Sequence, residues 1–138
     1  MSVSMSLTYE GEFRARLHHG PSGTQIMTDA PIDNGGRGSA FSPTDLVAAA
    51  LMSCAVTTMA LVAKREGLPF TTGSATVTKE MLSDPRRIGR LALDIELPAS
   101  LSAEHRARLE AIARGCPVAR SVGSDVRIEW RFRYETSS

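Results

Sequence analysis

Two cysteines, Cys54 and Cys116, are the side chains of this 138-residue sequence best suited to chemistry. Cys54 lies inside an uncharged run from Leu46 to Ala63, and Cys116 stands directly before a proline in Gly115-Cys116-Pro117-Val118-Ala119-Arg120-Ser121. A thiol attacks only as its anion, and the free N–H groups and dipole at a helix N-terminus favour that anion. Pro117 suits a first helical position, which makes Cys116 the N-cap of a short helix through Val122, with Arg114 and Arg120 nearby in sequence. On these grounds alone Cys116 is the more reactive sulfur and Cys54 a small buried residue. Brought together in the fold, the pair would make a dithiol that can close and reopen. Standing 62 positions apart, they are not a Cys-x-x-Cys motif. No further cysteine is present for zinc, and His18, His19 and His105 have no ligand spacing with these two, so no metal is expected.

The elements that must position these sulfurs are legible in outline. Residues 7–18 alternate as a strand, with Phe13, Ala15 and Leu17 on one face and Glu12, Arg14 and Arg16 on the other. Gly20-Pro21-Ser22-Gly23 reads as a turn and Thr24 to Thr28 as the return strand of a hairpin. Asp33-Asn34-Gly35-Gly36-Arg37-Gly38 reads as a mobile connection, since it lacks the setting of a phosphate-binding loop. Ser42 as N-cap, Pro43 at the first position and Asp45 at the third predict a capped helix running to Glu66, with Gly67 just past its end. Strands follow over 71–82 and 89–97, the second with Leu91, Leu93, Ile95 and Leu97 inward. A helix over 103–114, the Cys116 helix and a final strand over 125–134 complete an α+β pattern in one domain, 1–138.

Composition narrows the partners. A net charge of +1 gives no general pull toward nucleic acid or an anionic membrane. The first ten residues have neither a basic nor an apolar segment, so a cytoplasmic location with reduced thiols is expected. The Leu46–Ala63 run has the 18 residues of a short membrane span, but alanines and Ser53, Cys54, Thr57 and Thr58 dilute it and no Trp or Tyr flanks it. A helix covered by protein on nearly every side is the better reading. Two short helices and five or six strands cannot supply that cover, so a homodimer with the long helices packed together is expected.

Phe41-Ser42-Pro43-Thr44-Asp45-Leu46-Val47-Ala48-Ala49-Ala50-Leu51-Met52-Ser53-Cys54, followed by Gly115-Cys116-Pro117-Val118, resembles the OsmC/Ohr family of thiol peroxidases. Thr28-Asp29-Ala30-Pro31-Ile32-Asp33-Asn34 is similar to the OsmC-like branch of it. The resemblance implies antiparallel sheets around a long buried helix, in an intertwined homodimer with active sites at the subunit interface. It implies that Cys54 attacks a hydroperoxide and becomes a sulfenic acid, that Cys116 condenses with it to a disulfide, and that an external dithiol reduces the pair with no bound cofactor. That order reverses the one drawn from the helix dipole. The resemblance implies an organic hydroperoxide or hydrogen peroxide as substrate, and the apolar neighbours of Cys54 favour the organic one. The family also uses an arginine from the N-terminal strands, held by a glutamate ten residues before the first cysteine. Arg14 is the choice for the arginine, ahead of Arg16 and Arg37. Thr44 stands where the glutamate belongs, and Asp45 is its nearest substitute, beside a capping role. The rival reading is a non-catalytic module of the same fold, holding a small molecule in an interface pocket lined by Leu51, Met52 and Met59.

Overall fold

Strand-forming residues open the chain, and they build three strands where two are expected. In the computed structural model, which describes residues 1–135, β1 (Met5–Gly11), β2 (Arg14–His19) and β3 (Gln25–Asp29) make one antiparallel sheet in that order. The single strand expected over 7–18 is broken at Glu12-Phe13, where both residues take positive φ, 54° and 66°. Such a turn suits the twist of paired strands but is usually built from Asn and Gly. Glu-Phe gives no turn signal, so the alternation runs unbroken in sequence. Two hydrogen bonds hold the turn: the Phe13 N–H donates to the Tyr9 hydroxyl, and the Phe13 carbonyl accepts from the Ala30 N–H, both at 3.1 Å.

Cross-strand register then sorts the side chains. Leu7 faces Leu17, which faces Ile26, while Arg14 faces Asp29 on the opposite surface. The apolar surface is open, with Leu7 61 % and Tyr9 62 % exposed. The Asp33–Gly38 segment is a packed turn rather than a loose connection. Asn34 and Gly36 donate to the Pro31 carbonyl and Gly38 to that of Ala30, and a Cβ on Gly36 would stand 1.8 Å from the Ala30 oxygen.

Helix α1 (Pro43–Glu66) has the bounds its sequence predicts. The Asp45 N–H donates to Ser42 Oγ at 3.1 Å and the Ser42 N–H donates to Asp45 Oδ2 at 2.9 Å, a reciprocal capping box. Gly67, at φ 68°, ends it.

The chain divides into two compact units, Met1–Val47 and Ala48–Ser138. In the second, β4 (Ser74–Leu82), β5 (Arg87–Pro98) and β6 (Arg127–Glu135) form a sheet in that order, with α2 (Ala103–Arg114) and α3 (Pro117–Ser121) between β5 and β6. The expectation of antiparallel sheets holds for β4–β5 and fails for β5–β6, which run parallel. The reason is the long α2–α3 connection, which returns the chain to the end from which β5 started. Period-two burial on β5 (Leu91, Leu93, Ile95, Leu97) and helical spacing on α1 (Ala48, Leu51, Ala55, Met59, Ala63) fill one core with Leu109 and Ala113 of α2.

By length and composition α1 could cross a bilayer, yet this stripe is packed in the core. The near-complete cover expected for α1 is not met within one chain. Val47, Ala50, Ser53, Thr57 and Leu61 remain exposed, Leu61 by 51 %.

Candidate functional site

Cys54 sits on α1, partly buried, and Cys116 is the fully buried residue before α3. Both thiols are free, and Cys54 lies near enough to Cys116 to raise its pKa. The placement follows from local structure. The Gly115-Cys116-Pro117 sequence stops α2 and starts α3, so Cys116 falls at the junction with extended backbone, φ −65° and ψ 157°. Its N–H donates to the Ala113 carbonyl and its carbonyl accepts from the Arg120 N–H, which fixes the sulfur inward. On α1, Thr58 lies one turn beyond Cys54, and its Oγ1 is 3.8 Å from the Cys54 sulfur. Thr58 looked like a mere interruption of an apolar run, and its i+4 spacing from Cys54 was the signal that marked it.

Burial dominates the chemistry of Cys116. It pushes the thiol above its ordinary pKa, the Ala119 N–H pulls it down by less, and the hydrogen bond and charge of Cys54 push it up again, against a small pull from the Val118 N–H. The expectation of a dipole-activated Cys116 is therefore corrected. Desolvation of a thiolate outweighs a one-turn helix end. Arg114 and Arg120 do not supply the missing charge, because the Arg114 guanidinium lies over the Phe132 ring and the Arg120 Nε donates to the Gly115 carbonyl at 2.6 Å. What results is a Cys116 thiol held above its ordinary pKa, chiefly by burial.

The remaining candidate residues belong to the first unit. Arg16 donates to Glu10 and Gln25, and Arg37 pairs with Glu12, so these two serve surface contacts. Arg14 differs: its Nε is buried and makes no hydrogen bond among the described residues. Asp45 closes the capping box, and the Thr44 hydroxyl lies 3.2 Å from Ser42 Oγ at the same helix end. Sequence reasoning missed Asp29, which is fully buried opposite Arg14. Its Oδ2 accepts from the Ser39 hydroxyl at 2.5 Å and the Ser39 N–H at 3.0 Å. The Ser39 bonds hold its carboxyl below the usual carboxylate range against the upward push of burial, helped by the Arg37 N–H and the charge of Arg14. Its position at a strand end before Ala-Pro gave no hint that the acid is buried.

Of the three residues named for an interface pocket, Leu51 and Met59 are fully buried in the core, which leaves only Met52 partly accessible.

Known proteins fit this arrangement. The model of the OsmC-like protein family matches residues 36–131. A Psychrobacter arcticus 273-4 structure, described as an osmotic stress induced and detoxification response protein, is 36 % identical over 93 % of each chain, with a TM-score of 0.88. An organic hydroperoxide resistance protein of Legionella pneumophila is similar in fold at 18 % identity and a TM-score of 0.74, over 96 % of this chain and 97 % of its own. One from Elizabethkingia anophelis has 15 % identity and a TM-score of 0.78, over 98 % and 97 %. No curated protein matches the chain. The free thiols Cys54 and Cys116, the two-sheet α+β fold and the family match together place this chain in the OsmC/Ohr family, which is associated with organic hydroperoxide resistance and stress.

Proposed function

We propose that this protein is a thiol-dependent peroxidase that reduces organic hydroperoxides through Cys54 and Cys116. The observation that carries the reading is a pair of free thiols, a partly exposed Cys54 and a buried Cys116 whose pKa is pushed up by burial and by the neighbouring Cys54. Partial exposure lets a substrate reach Cys54. In the reaction the Cys54 thiolate attacks the O–O bond, takes one oxygen as sulfenic acid and releases an alkoxide, which takes a proton to become the alcohol. The Cys116 thiol then condenses with the sulfenic acid, forming a disulfide and releasing water. An external dithiol reduces that disulfide, so no bound cofactor is needed. Arg14 supplies the cation that offsets the alkoxide charge. Asp45, engaged at the end of α1, acts as a cap.

The working form is a homodimer acting in the cytoplasm, without nucleic acid or membrane. Its support is the uncovered apolar surface of the first sheet, Leu7, Tyr9 and Ile26, and the uncovered stripe of α1 with Val47 and Leu61. The family match runs from residue 36 of the first unit to residue 131 of the second, which supports one functional domain.

The test is stopped-flow consumption of cumene hydroperoxide and of hydrogen peroxide with a dithiol reductant. Wild type should turn over, faster with the organic peroxide. Cys54→Ser should abolish turnover, and Cys116→Ser should allow one stoichiometric oxidation and then stall. Absence of consumption by the wild type refutes the reading.

A further inference from the structure

Arg120 stands near Cys116 in sequence as a source of charge, and in the fold it acts on the backbone instead. The two peptide planes that flank Cys116 carry three polar groups, since Pro117 brings no N–H. All three are engaged. The Cys116 N–H donates to the Ala113 carbonyl at 3.2 Å. The Cys116 carbonyl accepts from the Arg120 N–H at 3.0 Å, and the Gly115 carbonyl accepts from Arg120 Nε at 2.6 Å. One residue therefore holds both of the planes between which the Cys116 side chain leaves the backbone.

The helix would not hold them alone. α3 has five residues, too few to stand on its own hydrogen bonds. A charged donor closing on a carbonyl is among the stronger hydrogen bonds that a side chain makes. The guanidinium lies against Gly115, where a Cβ would stand 3.3 Å from Arg120 Nη2 and 3.7 Å from Nε. Gly115 has φ −106°, which other residues adopt, so what glycine supplies here is room for the arginine.

We infer that Arg120 is the positioning residue for Cys116. It clamps the Gly115-Cys116-Pro117 backbone and keeps the sulfur in the core against which Cys54 packs. The step it serves rests on the peroxidase reading above. In that step the Cys116 sulfur bonds to the sulfur of the Cys54 sulfenic acid, the S–O bond breaks, and the hydroxyl leaves with the Cys116 proton as water. The clamp itself does not rest on that reading.

Two measurements on the full chain test it. With Cys54→Ser removing the other thiol, alkylation of Cys116 by iodoacetamide at fixed pH reads how firmly its sulfur is held. Adding Arg120→Met should speed alkylation by about tenfold or more, the usual effect of losing a hydrogen bond from a charged donor. Arg120→Lys, which keeps a charged donor, should speed it less, and Gly115→Ala should speed it by displacing the guanidinium. The gain should not change in low urea, the mark of a local opening. An unchanged rate in Arg120→Met overturns the inference whether or not the protein consumes peroxide. A gain that climbs steeply with urea would mean that Arg120 merely holds the fold, and would also overturn it. In rapid quench with one equivalent of cumene hydroperoxide, Arg120→Met with both thiols present should form the dimedone-trapped sulfenic acid within about twofold of the wild-type rate. It should close the disulfide about tenfold more slowly. Closure at the wild-type rate, or equal slowing of both steps, overturns the inference.

Discussion

The two compact units of this chain are held together by different physics. Every buried apolar residue, from Ala48 to Cys116, belongs to the second unit, where α1, β5 and α2 share one core. The buried residues of the first unit are Thr28, Asp29 and Ser42, all polar, while Leu7, Tyr9 and Phe13 there are each about three-fifths exposed. One region is stabilised by removing hydrocarbon from water. The other relies on strand pairing, a helix cap and a buried carboxylate, and it leaves an apolar surface in need of cover. The lesson is a contrast of environments: Cys54 and Cys116 belong to the apolar unit, where burial raises the Cys116 pKa, and Arg14 belongs to the unit whose buried groups are polar.

The contrast is sharpest for core truncation. Leu109→Ala, at a fully buried site on α2, should cost about 2–5 kcal/mol in urea unfolding. Leu7→Ala, on the open surface, should change the same quantity by no more than about 0.5 kcal/mol. Comparable losses at both positions, independent of protein concentration, would break the comparison. If the open surface is covered by a second subunit, Leu7→Asp should weaken association by about tenfold or more in sedimentation equilibrium, about 1.4 kcal/mol. An unchanged dimer would assign that surface another role.

Smaller effects probe the polar contacts. Ser42→Ala removes the hydroxyl that accepts from the Asp45 N–H and should lower stability by about 1 kcal/mol. Acid should then distinguish the units. Asp29 has its carboxyl pKa lowered in the fold, so its contribution is present above the usual carboxylate range and fades as pH falls through the folded value. Thermal scans from about pH 6 to pH 3 should show a loss in the wild type that is shallower in Asp29→Asn. A wild type as pH-dependent as the variant would remove Asp29 from the first unit's supports.

Much of this was legible in local pattern. The bounds of α1 follow from Ser42, Pro43, Asp45 and Gly67, because capping is settled by neighbours within one turn. The inward set of β5 follows from alternation, and the α2–α3 junction from Gly115 and Pro117. The β1–β2 turn was missed because Glu12 and Phe13 adopt a conformation their types rarely choose, imposed by strand pairing and by the Tyr9 and Ala30 contacts. The parallel pairing of β6 was missed because direction depends on where a long connection returns, which no short window contains.

The order of residues by itself determined the helix ends, the faces of the strands and the presence of two thiols with a family's signature around them. Only the folded chain decided that Cys116 is buried, which raises its pKa, and that a buried Asp29 stands opposite Arg14. The physical reason is distance. Caps and alternation are set by neighbours a few residues away, whereas desolvation and cross-strand charge depend on which distant residues pack around an atom.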